Sequence, residues 1–323
     1  MSDAAPSILE LEHGICAVDT DYVRPQLDAN HLIVEDGRAA FVDTGTNNSV
    51  PGLLAALAVK DLDVGDVDFV FLTHIHLDHA GGAGLLMQQL PNARCVVHPM
   101  GAPHMAEPSK LIAGTEAVYG RELARQMYGD IQPIDAERII ATDDDQSFSL
   151  NGRPLFAFYT EGHARHHYCL DDARSAGVFT GDSFGLSYRE LDTAAGPFIM
   201  ATTTPTHFDP DEAHKSIDRI MACDPKRVFL THYSEVGDLE RLAADMHADI
   251  DACAGIARSL ADADERPAAI EAALFEHLAL RIEAHGFDGD RAAIREIVGM
   301  DAKLNAQGLD IWLKRQSRQT SLR

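Results

Sequence analysis

Positive charge is scarce in this chain. Lys and Arg number 27 against 51 Asp and Glu, a formal net charge of −24. A field of that sign repels phosphate backbones and anionic lipid, so neither nucleic acid nor a membrane is an expected partner. It says less about a small-molecule substrate, because a bound cation reverses the sign locally. Long apolar runs are also missing: none reaches the ~18 residues that a membrane span needs. Met1-Ser2-Asp3-Ala4-Ala5-Pro6 carries neither the basic nor the apolar segment of a signal peptide, so a cytoplasmic location is the expectation. The five cysteines (Cys16, Cys95, Cys169, Cys223, Cys253) are odd in number and never form a CxxC pair. They make no disulfide framework, and each is expected to pack as a small hydrophobe in a reducing compartment. There is no internal repeat and no low-complexity tract.

Histidine, by contrast, is concentrated. Thr73-His74-Ile75-His76-Leu77-Asp78-His79 places four possible metal ligands within six positions. It follows an apolar run, Val67 to Leu72, broken only by Asp68, and it precedes Ala80-Gly81-Gly82. Three imidazoles and a carboxylate delivered to one point would repel or stay unsatisfied without a cation to organise them.

The first two thirds of the chain read as mixed α/β. Short β-branched or aromatic runs at 31–34, 39–42, 67–72, 95–97, 155–158, 177–180 and 227–230 predict strands. Helices are expected over 50–60 and 84–90. Another should start at Asp209, with Pro210 in the first helical position and Glu212 at the capping-box place, and run to about Met221. After Leu230 no strand signal appears. Apolar residues then recur at steps of three and four from Leu239 to Leu260, again from Ile270 to Ile282, around Ile294 and Ile297, and from Asp301 through Trp312. The expected organisation is a catalytic domain over 1–234 and a helical extension over 235–323. The extension could cap the site or build a homodimer interface, although an amphipathic helix more often simply packs onto its own domain. Its basic end (Lys314, Arg315, Arg318, Arg323) is expected to fray.

Three further segments share the placement of the heptapeptide after a predicted strand. They are Glu161-Gly162-His163-Ala164-Arg165-His166-His167, Gly181-Asp182-Ser183 and Thr231-His232-Tyr233-Ser234. Loops at strand ends on a rigid sheet commonly carry function. One Gly-His or Gly-Asp is a weak signal; four such strand ends in one chain are a strong one.

The order T-H-x-H-x-D-H, G-H, G-D, T-H resembles the metallo-β-lactamase-fold hydrolase superfamily over roughly residues 10–234. Phe41-Val42-Asp43-Thr44-Gly45 resembles its first motif. The resemblance implies an αββα sandwich, two sheets face to face with helices outside. It also implies that His74, His76 and His163 hold one metal, that Asp78, His79 and His232 hold a second, and that Asp182 bridges both. Asp43 and His167 are expected to orient ligands from behind, and His166 to be a spectator. Two divalent ions are therefore expected; Zn²⁺ suits the nitrogen and oxygen donors, and Fe or Mn is compatible.

Two such ions ~3.5–4 Å apart can share a water, lower its pKa toward ~7 and polarise a carbonyl. Asp182 would hold them together, and Asp78 would relay the proton. The expected activity is hydrolysis of a small ester, thioester or lactone. Alternatives are a phosphodiesterase and an iron-dependent sulfur or oxygen redox enzyme. The departures narrow the field. Class B β-lactamases lack a bridging Asp at the Asp182 position. Acyl-homoserine lactonases place Tyr where Gly185 stands. Glyoxalase II-type thioesterases use a basic and aromatic cluster that only Tyr188-Arg189 echoes. The 184–206 connection, with Tyr188, Arg189, Phe198 and Met200, is the expected substrate wall, and Pro99 to Lys110, with His98 and His104, is a second candidate. Thr73 and Thr231 are expected to hydrogen-bond nearby backbone.

Overall fold

The computed structural model describes residues 7–321; Met1 to Pro6 and Arg323, on which two of the expectations above rest, lie outside them. The chain forms two compact units. One comprises the chain up to Tyr159 together with His166–Gly181 and Asp224–Gly237. The other comprises Thr160–Arg165, Asp182–Cys223 and the chain from Asp238 onward.

The first unit is built on two sheets. Strands β1 (Ile8–Glu10), β2 (Ile15–Asp19), β3 (Ala29–Glu35), β4 (Arg38–Val42), β5 (Val67–Phe71), β6 (Arg94–Val97) and β7 (Ile139–Ala141) lie side by side in that order. Strands β8 (Gln146–Leu150), β9 (Arg153–Tyr159), β10 (Tyr168–Asp172), β11 (Gly177–Gly181), β12 (Arg227–Leu230) and β13 (Ser234–Val236) make the second sheet, in reverse order. Both sheets are mixed. β4 runs parallel to β5 with Val42 opposite Phe71, and β11 parallel to β12 with Phe179 opposite Phe229.

Alternation along the strands separates two cores. Ile33, Ala40, Val42 and Phe71 of the first sheet meet Leu155, Leu170, Phe179 and Phe229 of the second. Their neighbours Leu32, Phe41 and Val70 turn the other way and pack with Leu53 and Leu57 of α1 (Val50–Val59) and Leu86 and Met87 of α3 (Ala83–Gln89). Each fully buried Phe or Leu here contributes roughly 1.5–3 kcal/mol. Between these helices lies the single turn α2 (Leu77–Ala80). Helices α4 (Ala102–Ala106), α5 (Ser109–Tyr119) and α6 (Arg121–Tyr128) follow β6, where the sequence reading placed only a candidate wall.

The second unit contains α7 (Pro210–Ala222), α8 (Leu239–Ser259), α9 (Arg266–Ala284) and α10 (Arg291–Ser321). Asp209 caps α7 as expected, its carboxylate accepting from the amides of Asp211 and Glu212. Glu212 pairs with Lys215 at 2.7 Å. The two last helical stretches expected from the pattern are one 31-residue helix. Asp301 does not start a helix; it is a mid-helix residue that accepts from the Tyr188 hydroxyl at 3.0 Å. The basic end does not fray at Arg315, which donates to the carbonyls of Thr206 and Phe208. The fold class is the αββα sandwich with a C-terminal helical extension. None of the five cysteines is in a disulfide, and Cys223 is exposed rather than packed. Among the described residues no helix is long and apolar enough to cross a membrane.

Candidate metal centre

Four strands stop where chemistry starts. β4 ends at Val42 before Asp43, β5 at Phe71 before Leu72-Thr73-His74, β11 at Gly181 before Asp182, and β12 at Leu230 before Thr231-His232. The backbone has to turn tightly at each. Gly181 shows why: its φ is +47°, and a Cβ there would lie 2.7 Å from His167 Nε2 and from Thr73 Oγ1. Only a residue without a side chain lets β11 pass so close to the histidine loop.

Asp43 organises the sandwich side of the site. It is fully buried, and it adopts the left-handed region (φ +59°) that Asp tolerates better than most residues. Its carboxylate accepts from the Thr73 amide (2.8 Å), the Thr73 hydroxyl (2.8 Å), the Thr231 hydroxyl (3.0 Å) and His79 Nδ1 (2.8 Å). The two threonines therefore serve a carboxylate rather than nearby backbone, because Asp43 offers a stronger, charged acceptor. The bond from His79 fixes the proton on Nδ1 and turns Nε2 toward Asp78, 3.9 Å from its Oδ2. His232 is set the same way. Its Nδ1 faces the Leu27 carbonyl at 2.7 Å, and its Nε2 stands 3.7 Å from the same Asp78 oxygen. The ligand atoms of Asp78, His79 and His232 all lie within 4.8 Å of one another.

His74 and His76 face each other across the loop, with His74 Nε2 2.9 Å from His76 Nδ1. The His74 ring lies 4.0 Å from that of His79, centroid to centroid, and stacks on His167 at 4.9 Å. His166, expected to be a spectator, sits edge-on to His76 at 5.7 Å and is buried.

In the second unit His163 and Asp182 come together, His163 Nε2 lying 3.4 Å from Asp182 Oδ2. Gly162, at φ +121°, lets this loop pass α7: a Cβ there would be 2.4 Å from the Ala213 backbone. A cavity of ≈ 10 Å³, room for about one water, opens on His163 and Asp182 and is lined also by Glu161, Ser183, Phe208 and Met246. The four expected wall residues do not line it. Tyr188 is tied to Asp301, Arg189 to the Ser187 carbonyl and Asp192, Phe198 lies under the Arg281 guanidinium at 4.9 Å, and Met200 is buried.

One residue escaped the sequence reading. Asp28 is wholly buried, and neither carboxylate oxygen has a hydrogen-bond partner. Burial pushes its pKa up to about 8, against the pull of His232 and His79. It precedes β3 in an unremarkable Asp-Ala-Asn, so only the strand was legible there.

The donor chemistry suits divalent metal ions. His79 and His232 each commit Nδ1 to an oxygen behind the site and direct Nε2 at a shared carboxylate, the arrangement that metal-ligating histidines adopt. Asp78 and Asp43 both act electrostatically on Asp28 here, and the hydrogen-bond partners of Asp43 among the described residues include no Lys or Arg. A cation would supply the missing positive charge.

The sequence matches the Metallo-beta-lactamase superfamily family over residues 30–232. The chain belongs to that superfamily. Its relatives include the metallo-beta-lactamase fold-containing protein ST1585 of Sulfurisphaera tokodaii, 26% identical over 68% of this chain and 77% of that one. The crystal structure of ST1585 superposes with a TM-score of 0.64 at 22% identity, covering 92% of this chain and 98% of that one. Two other superfamily relatives are matched over a smaller share of their length. Endoribonuclease ysh1 of Schizosaccharomyces pombe is 28% identical over 52% of this chain and 22% of its own. An atrochrysone carboxyl ACP thioesterase of Aspergillus fumigatus is 28% identical over 36% of this chain and 27% of its own.

Proposed function

We propose that this superfamily member is a metal-dependent hydrolase of a small ester, thioester or lactone. The observation that carries the reading is the convergence of His79 Nε2 and His232 Nε2 on Asp78 Oδ2, with both Nδ1 atoms anchored from behind. We further propose that His74, His76 and His163 hold one divalent ion, that Asp78, His79 and His232 hold another, and that Asp182 bridges them. Zn²⁺ is the ion we favour on donor type. When bound, such ions supply Lewis acidity toward a carbonyl oxygen and a water acidified to near neutral pH.

The protein's own groups do the rest. Asp43 holds His79 in one tautomer and, through Thr73 and Thr231, ties both histidine loops to one carboxylate. The Asp78 side chain is 27% exposed while that of His79 is fully enclosed. The Asp78 carboxylate is thus the group of this pair that solvent reaches, and it would take the proton of the attacking water. The acyl preference rests on charge: a chain of −24 disfavours a polyanionic substrate, and one relative is a thioesterase.

A panel of aryl esters, acyl thioesters and lactones, assayed with zinc-loaded protein, tests this reading. Turnover of at least one class should fall by about 10²-fold or more in Asp78→Asn, as loss of a positioned acid–base group does. Turnover of bis-p-nitrophenyl phosphate with no acyl substrate accepted would replace it with a phosphodiesterase, the activity class of the endoribonuclease relative. Iron as the bound metal, with oxygen consumption, would replace it with redox chemistry.

A further inference from the structure

Helices α7 and α8 carry the same short pattern, a histidine followed four positions later by an aspartate. It is His214 and Asp218 on α7, and His247 and Asp251 on α8. That spacing puts both residues of each pair on one helix face. The pairs interlock. His214 Nε2 lies 3.1 Å from Asp251 Oδ1, and His247 Nε2 lies 3.3 Å from Asp218 Oδ1. The rings are near-parallel (14°) with centroids 5.0 Å apart, and their Nδ1 atoms face each other at 2.7 Å.

The hydrogen count makes this arrangement informative. A carboxylate accepts only, so each Nε2 must carry a proton to meet its aspartate. In neutral imidazoles both Nδ1 atoms then present lone pairs, and two lone pairs at 2.7 Å repel. Something positive has to lie between them: one extra proton or a metal ion. Aspartate on the far nitrogen, lone pair on the near one, is how metal-binding histidines are held, and here two such units point at one place. Cis ligands on an ion at ~2.0–2.1 Å stand about 2.9–3.3 Å apart, so the rings need to separate by only a few tenths of an ångström. Their side chains, 26% and 33% exposed, have that freedom, and the exposure leaves positions for water on the ion.

We propose that His214 and His247 form a second metal site on the helical unit, binding one divalent ion of the zinc, nickel or copper type through Nδ1, with Asp251 and Asp218 orienting the rings. Imidazole donors with open positions select this class over Mg²⁺ or Ca²⁺, which prefer oxygen. The site clamps α7 to α8 and is independent of the hydrolase reading, whose residues it does not use.

The test starts from full-length protein loaded with zinc and then washed with a mild chelator, which strips an ion held by two imidazoles alone; it is next dialysed against Ni²⁺ while the zinc that remained is counted. Wild type should take up about one nickel per chain without losing zinc, and should unfold at a higher temperature with nickel present, since an ion that binds only the folded state stabilises it. His214→Gln and His247→Gln should each abolish that uptake and that shift. Asp218→Asn and Asp251→Asn should weaken it by about 10–100-fold. Equal uptake by wild type and both histidine variants would overturn the site. So would no uptake by wild type, which would leave a shared proton as the positive charge between the rings.

Discussion

Asp43 and Asp249 are both buried carboxylates that gather distant segments, one in each unit, and their partners differ in kind. Asp249 accepts from the Ala201 amide at 2.7 Å and from His277 Nε2 at 2.6 Å, and it forms an ion pair with Arg281 at 2.6 Å. Its charge is balanced on the spot by a guanidinium. Asp43 meets only an amide, two hydroxyls and an imidazole. A buried carboxylate with no cation beside it is costly. The helical unit thus uses its carboxylate to close a structure that is already neutral, while the sandwich leaves a charge deficit beside His79 and His232. That deficit separates a binding site from a structural knot.

Breaking Asp43 should have the largest effect. Asp43→Ala leaves Thr73, Thr231 and His79 Nδ1 without their acceptor and lets the His79 ring turn. Loss of such a supporting carboxylate typically costs 10–100-fold in metal affinity. Buried polar partners left unpaired add about 1–3 kcal/mol each. Metal content after dialysis should fall well below that of wild type, and activity with it. Retention of the full metal complement would show that the histidine loops are held by something other than Asp43.

Much of this was legible beforehand, and the reason is chemical. A cluster such as His74, His76, Asp78 and His79 after an apolar run has few uses other than metal binding, and the seven strands read from β-branched and aromatic runs all exist. The strands left unread lacked that signature. β1, β7 and β13 are three residues each, β8 is half polar, and β10 ends in Asp171-Asp172. β2 (Ile-Cys-Ala-Val-Asp) is buried throughout, and it is pairing with β1 and β3 that distinguishes it from a short helix. The Asp43 hydrogen bonds were illegible for another reason: partners up to 188 positions apart leave no local pattern. The last two helical stretches read as separate because Gly299 and Asp301 interrupt the apolar pattern; within α10, Asp301 is satisfied by a tyrosine.

Asp249→Ala should come second, and it should change a different observable. Removing one partner of a buried ion pair costs about 3–5 kcal/mol. Arg281 would be left facing His277, and the Ala201 amide would lose its acceptor. Thermal unfolding should shift down, while the zinc content of folded protein at low temperature should match wild type. A fall in zinc content as large as that of Asp43→Ala would erase the contrast between the two carboxylates.

The smallest effect is a pH dependence that belongs to the sandwich core rather than to either carboxylate. His31 lies between Phe179 (5.3 Å) and Phe229 (5.7 Å), and its Nε2 has no hydrogen-bond partner. Burial pulls its pKa down to about 3 from the usual 6.5. The unfolded chain therefore binds a proton below pH 6.5 that the folded chain refuses until about pH 3. The stability from neutral His31 is full above pH 6.5 and drains away as pH falls through that window. Going from pH 7 to pH 5 should cost about 2 kcal/mol, at 1.36 kcal/mol per pH unit below 6.5. Urea unfolding of metal-free protein at the two pH values measures it, with metal loss kept out of the profile. His31→Leu should flatten the pH slope by that amount, whatever it does to stability at pH 7. An unchanged slope would place the acid sensitivity elsewhere.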